Sequence, residues 1–503
     1  MKPSLKRNAL ANYFGQGYTI LIGIVIYPFY LQYLGAEAYG LVGFFLVLQA
    51  WLNLLDIGMT PTLGRQVAHA RGQGEGFLEL KKLLRSLEII FFGLGVAVAL
   101  AIIFGSGWIA SGWLQVESLA MGEVAYCIAL MGIMVALRWF ASLYKSGISG
   151  MEAQVWLNTA NVMVSSLKFI GVLVVLIWIS TAPSSFFEYQ LVIGVLEVVV
   201  FGYKFYLLMS DKTRIGLTFS YSTLKPLLPF ALSIAYTSGI WILITQLDKM
   251  LLSNILPLGE YGYFALVAIV AAGVMQISSP IGKALLPRMT FMLAAGNESE
   301  MLLLYRKASQ VVATVMFSVA GMVAVFSEEL LYAWTGDMQA ATWAGPVLFW
   351  YVLGNGLLAV LAFQYYLQYA HGKLRLHVQM NTVFAIILVP VIAVAAYKFG
   401  ALGTGITWFA MQCIFFVVCP AVIHARFAPG IHAKWLFGDI FPVFLSTAAG
   451  LLLVTSLPVD VFQFSRGWGF LLLLGQGMVV LSISSLGSSA VRQQLFVRIL
   501  RGR

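Results

Sequence analysis

Basic side chains stand in this sequence where long apolar runs surround them. Arg138, Lys168, Lys204, Lys249 and Lys283 all fall inside such runs, and Lys145 follows Arg138 by seven residues, which puts both on one helical face. An ionised group at the centre of a bilayer costs at least about 2.5–3.5 kcal/mol on insertion scales, so these residues are expected to face a wet cavity or a partner. A track of such cations suits a phosphate or diphosphate: arginine offers planar paired donors and lysine a compact point charge. The expected anion-binding set is Arg138, Lys168, Lys145, Lys249 and Lys283. The competing reading is a structural ion pair or a stem that reaches the interface, and it weighs most on Lys204 and Lys283.

Five further residues are candidates for gating or coupling: Asp56, Arg65, Asp248, Arg288 and Glu197. Asp56 lies near the inner end of the second apolar run and has Arg65 or Arg288 as a prospective partner. Asp248 and Lys249 are neighbours in sequence, so their side chains leave the helix in different directions and each is expected to find its own partner. Glu197 and Glu123 are acids of the kind a proton- or sodium-coupled cycle needs, and nothing in the sequence selects the ion. Cys127, Cys413 and Cys419 lie in apolar segments without a second ligand-type residue at metal spacing. No metal and no cofactor are expected, and the absence of a Gly-rich phosphate loop argues against ATP hydrolysis.

The elements that must position these groups are membrane spans. The chain has 503 residues, 60% hydrophobic and only 10% charged, against roughly 25% charged in soluble domains. Fourteen runs read as transmembrane helices: 9–34, 39–59, 86–106, 119–144, 154–180, 187–208, 227–254, 261–287, 308–327, 343–370, 377–398, 402–425, 439–457 and 468–488. Of the 30 Lys and Arg, nearly all those outside the spans fall on one side, with Lys398 and Arg466 alone in the opposite loops. The positive-inside rule then puts both termini in the cytoplasm, accounts for the net charge of +10 without a nucleic-acid partner, and makes the basic N-terminus part of an uncleaved first helix. The stretches 77–85 and 491–500 mix apolar and basic faces and are expected to lie along the inner leaflet of membrane lipid. No loop is long enough to hold a soluble catalytic domain.

An internal repeat organises the spans. Gly35-Ala36-Glu37-Ala38-Tyr39-Gly40, with Arg65 downstream, is echoed by Gly259-Glu260-Tyr261-Gly262, with Arg288 downstream; Gly150 and Asn158 are echoed by Gly372 and Asn381. The offset stays near 222 residues and covers six spans, so two six-helix lobes, 1–210 and 211–426, are expected as parallel repeats, with two extra helices and a basic tail in 427–503. The fold class is thus all-α, integral to the membrane, with a cleft between lobes as the expected path.

These features resemble the polysaccharide transporter branch of the multidrug/oligosaccharidyl-lipid/polysaccharide flippase superfamily, the group of O-antigen and exopolysaccharide flippases. The resemblance spans essentially the whole chain. It rests on Asn12-Tyr13-Phe14-Gly15 running into Pro28, the Leu34-Gly35 to Gly40 turn, Leu55-Asp56-Ile57-Gly58 leading to Arg65, and Gln246-Leu247-Asp248-Lys249 followed by Gly259-Glu260-Tyr261-Gly262-Tyr263. It implies two lobes around a central cavity, alternating access, and an undecaprenyl-diphosphate-linked oligosaccharide carried from the cytoplasmic to the periplasmic leaflet of the bacterial inner membrane. H+ or Na+ coupling and contact with other polysaccharide-assembly membrane proteins are further expectations. The alternatives are a lipid-linked peptidoglycan precursor flippase, a cation-coupled drug exporter of the same superfamily, against which fourteen spans argue, and a multi-span glycan polymerase or glycosyltransferase, which lacks its usual large outer loop or acidic cluster here.

Overall fold

A computed structural model describes residues 5–73, 78–209 and 219–493. Its described residues are almost wholly helical, and thirteen helices among them are long and apolar enough to cross a membrane. The longest run, Arg375–Phe427, has 53 residues. At about 1.5 Å per residue it would measure about 80 Å as one helix, far more than a hydrocarbon core of about 30 Å. Gly400 breaks it with φ 60 and ψ −147, a conformation open to glycine alone. Two of the fourteen expected spans, 377–398 and 402–425, lie on either side of that break.

The chain divides into two compact units, Met1–Gly262 and Tyr263–Arg503. In the first, α1 (Leu5–Leu34) turns at Gly35, φ 78, into α2 (Ala36–Leu52), and a short 3-10 turn leads to the polar helix α3 (Met59–Gln73). The helix α4 (Leu78–Trp108) is continuous, so residues 78–85 run directly into the span expected at 86–106. Glu79–Lys82 and Arg85–Glu88 pair along its first turns at 2.7 and 2.9 Å. Residues 494–500 of the tail expected at the inner leaflet lie outside the described residues.

The central helix of this unit is α5 (Met121–Gly150), packed between α4 and α8 (Pro183–Leu208). Val124, Ile128, Met131 and Val135 are buried on α5, Phe187, Phe201 and Phe205 are buried on α8, and Tyr144 of α5 meets Phe205. Between them run α6 (Gln154–Ser166) and α7 (Val172–Trp178), joined by a wide π-helical turn at Leu167–Gly171. The short helix α9 (Tyr221–Leu224) leads into α10 (Leu228–Ile255), which packs on α2. Large side chains such as Phe104, Trp178 and Tyr203 are exposed, as they are on helices whose outer face meets lipid.

Glycines explain a close backbone approach in this unit. A Cβ on Gly40 would collide with the Leu258 carbonyl oxygen, and one on Gly262 with that of Ala36. The two echoed turns of the sequence therefore pack backbone against backbone, where α2 meets the start of α11 (Leu258–Gln276). Gln115 ties the same place, its carbonyl accepting from Leu258 N at 2.8 Å.

In the second unit, α12 (Ser279–Ala294) and α13 (Glu298–Val325) lead through α14 (Ser327–Thr335) to α15 (Met338–Ala370), which packs on α13 and on the broken run α16 (Arg375–Phe427). The last two spans, α17 (Phe441–Thr455) and α18 (Arg466–Gly487), pack on each other and on α13.

Candidate functional site

The wide turn at Leu167–Gly171 is where the site begins. A π turn frees backbone carbonyls from their helical partners, and in a membrane each needs another donor. Tyr189 OH donates to the Leu167 carbonyl at 3.0 Å, Gln190 Nε2 to that of Lys168 at 3.0 Å, and Tyr30 OH to that of Phe169 at 2.9 Å. Gly171 completes the device, since a Cβ there would strike the Tyr189 hydroxyl. Three side chains from two helices thus hold open a turn that presents Lys168 to a cavity.

That cavity, about 380 Å³, lies within the first unit between α1, α2, α5, α6 and α8. Arg138, Lys145, Lys168 and Glu197 all line it, with Gln49, Asn161 and Gln190 as neutral polar neighbours. Lys145 and Lys168 each donate to one oxygen of the Glu197 carboxylate, from α5 and from the wide turn respectively. Glu197 is 5% exposed, so it is a buried acid held by two cations, the arrangement that burial of a charge demands. Arg138 donates to the Gln49 side-chain oxygen and lies over the Phe45 ring at 5.4 Å from its centre. No carboxylate stands at ion-pair distance from Arg138 among the described residues. Three cations and one anion leave this cavity with an excess of two positive charges.

Other sequence candidates lie apart from this cavity. Lys249 Nζ is 3.2 Å from both carboxylate oxygens of Asp248 and donates to the Thr245 carbonyl at 2.7 Å. The expectation that adjacent side chains point apart is corrected at this contact: the four-carbon lysine stem folds back along α10 far enough to reach the preceding carboxylate while keeping Thr245 as a partner of its own. Asp56 accepts from Thr60 N at 3.1 Å and Thr60 Oγ1 at 2.8 Å, capping α3. No ion pair joins Asp56 to Arg65; the Arg65 guanidinium lies over the Phe230 ring at 4.4 Å, and that of Arg288 over Phe291 at 5.7 Å. Both Thr60 bonds go to Oδ1 of Asp56. Lys204 stacks on Trp156 at 5.2 Å. The side chain of Lys283 lies outside the described residues.

Sequence reasoning missed a second buried charge cluster. Arg306 grips Asp439 with Nε at 2.6 Å and Nη2 at 2.9 Å, and Gln310 donates to the same carboxylate at 2.7 Å. The Gln310 oxygen in turn accepts from Ser488 Oγ, Ser489 Oγ and Ala490 N. Arg306 reads in the sequence as one more loop charge; the signal was Asp439, an acid at the head of an apolar run.

A multi-pass membrane body of transporter architecture, with a cationic cavity inside it, is the class these features define. Residues 5–293 match the family described as polysaccharide biosynthesis protein, and the chain belongs to that family. A Shigella flexneri protein named for O-antigen transport is 22% identical over 287 residues, 57% of this chain and 67% of that one. The fold is shared with the lipid II flippase MurJ in an inward closed conformation, at TM-score 0.69 and 12% identity over 98% of this chain and 99% of the other. An inward-facing multidrug resistance MATE family transporter of the MOP superfamily aligns at TM-score 0.60 and 14% identity, over 81% and 95%.

Proposed function

We propose that this protein is a flippase that moves an undecaprenyl-diphosphate-linked oligosaccharide from the cytoplasmic to the periplasmic leaflet of a bacterial inner membrane by alternating access, driven by a proton or sodium gradient. Both termini face the cytoplasm in this reading. The protein acts as a carrier and not as an enzyme. The observation that supports it most is the cavity charge: Arg138, Lys145 and Lys168 against Glu197 alone, an excess suited to a diphosphate. Arg138 and Lys168 bind the headgroup and Lys145 assists; Asp248 and Glu197 are the acids for ion coupling.

The test is genetic and chemical. Deleting the gene is expected to accumulate lipid-linked glycan on the cytoplasmic face and deplete a surface polysaccharide, and the wild-type gene restores it. Arg138→Ala with Lys168→Ala is expected to abolish rescue while the protein still reaches the membrane. Unchanged surface glycans after deletion refute the flippase reading, accumulation of peptidoglycan precursor moves the substrate to that class, and full rescue by the double variant refutes the site.

A further inference from the structure

The excess charge of the cavity hides an asymmetry in how it is compensated. Lys145 and Lys168 come from different helices, 23 residues apart in sequence, yet both spend a donor on the same carboxylate. Their side chains keep 29% and 15% exposure, while that of Glu197 keeps 6%. The carboxylate is thus the hidden member and the ammonium groups are the accessible ones. Each ammonium has three N–H donors and gives one to Glu197, so donors remain for an incoming anion. Arg138 beside them has an amide oxygen as its partner and, among the described residues, no carboxylate at ion-pair distance.

An anion entering this cavity meets Glu197 as a like charge on the same two lysines. A carboxylate and a diphosphate cannot both be held by one pair of ammonium groups without repelling each other across a short distance in a poorly screened site. A buried pair is strong only while each ion keeps its own partner. Resting on the flippase reading above, we propose that Glu197 is an internal counter-ion that competes with the substrate's diphosphate headgroup for Lys145 and Lys168, so that headgroup binding displaces the carboxylate. In the empty carrier Glu197 occupies the place of the missing anion and keeps two lysines compatible with a membrane interior. A neutral lipid has nothing with which to displace it, and Glu197 therefore acts as a positioning and specificity-determining residue for anions.

The experiment uses the full chain in lipid nanodiscs and three probes: farnesyl diphosphate, inorganic pyrophosphate and the neutral alcohol farnesol. Glu197→Gln removes the competing charge at constant size. It is expected to tighten farnesyl diphosphate by about tenfold, the scale of one charge-assisted hydrogen bond, and to leave farnesol unchanged. Pyrophosphate tightening in parallel identifies the phosphates as the group recognised; tightening of farnesyl diphosphate alone makes the lipid-borne headgroup the competitor. Glu197→Asp, one methylene shorter and unable to span both lysines, is expected to fall between, and it serves where the glutamine variant does not fold. Equal or weaker binding in both variants, with Lys168→Gln still weakening the diphosphates, overturns the competition and leaves the anion site standing. Diphosphate binding that ignores both Lys168→Gln and Arg138→Gln overturns the site itself.

Discussion

The cavity of the first unit gathers charge unevenly, and the Arg306–Asp439 cluster of the second buries its charge in balance. In the first, Glu197 answers two lysines and Arg138 is left with a neutral amide, all around an open cavity. In the second, Asp439 takes both arms of Arg306 and the amide of Gln310, and Gln310 carries the linkage to Ser488 and Ala490 beyond α18. The crevice between α13 and α18, about 260 Å³, is lined almost entirely by apolar groups such as Met322, Phe326 and Leu473. Charge that is fully matched holds helices together, whereas charge left in excess next to a cavity is what an anion would meet in the proposed function.

This contrast can be broken most directly at Asp439. Asp439→Ala strands the Arg306 guanidinium and is expected to cost about 3 kcal/mol, the lower end for a broken buried pair because Arg306 keeps some access to solvent; a fall in thermal midpoint with transport per folded molecule unchanged bears this out. Next in size is the glycine crossing. Gly262→Val forces a side chain onto the Ala36 carbonyl and is expected to cost about 1–3 kcal/mol by overpacking, read as lower yield and midpoint. Tyr30→Phe removes one donor from the wide turn and is expected to cost about 1 kcal/mol, with a loss of diphosphate affinity because Lys168 is held less firmly. The smallest stability change belongs to Lys145→Met, about 1 kcal/mol, since Lys168 still pairs the buried Glu197 and no charge is stranded, yet transport is expected to fall severalfold. Should Lys145→Met destabilise as Asp439→Ala does, the two clusters are alike and the contrast fails.

Much of this was legible in the chain before any coordinates. The apolar runs set the spans, and a lysine at position 168 or an arginine at 138 stands out because hydrocarbon penalises it. The seven-residue step from Arg138 to Lys145 is local helical geometry and carries through to one cavity. What could not be read was pairing between distant helices. Glu197 stood out as an acid, but nothing local says that Lys145 and Lys168 converge on it. The wide turn at Leu167–Gly171 has no sequence signature, because it depends on hydroxyls and an amide from α1 and α8. Asp56 with Thr60 shows the opposite failure: a near neighbour engages the acid for which charge alone suggested an arginine.

The sharing of Glu197 also bears on how the chain is made. A helix carrying Lys168 alone, or Glu197 alone, presents a lone ion to the bilayer during synthesis, each at about 2.5–3.5 kcal/mol on insertion scales. The 26-residue helix Pro183–Leu208 follows the lysine-bearing segment after a short turn, so the two can leave the translocon as a hairpin whose charges already cancel. Truncating nascent chains before and after residue 197 is expected to show the Lys168 span held at the translocon until its acid emerges.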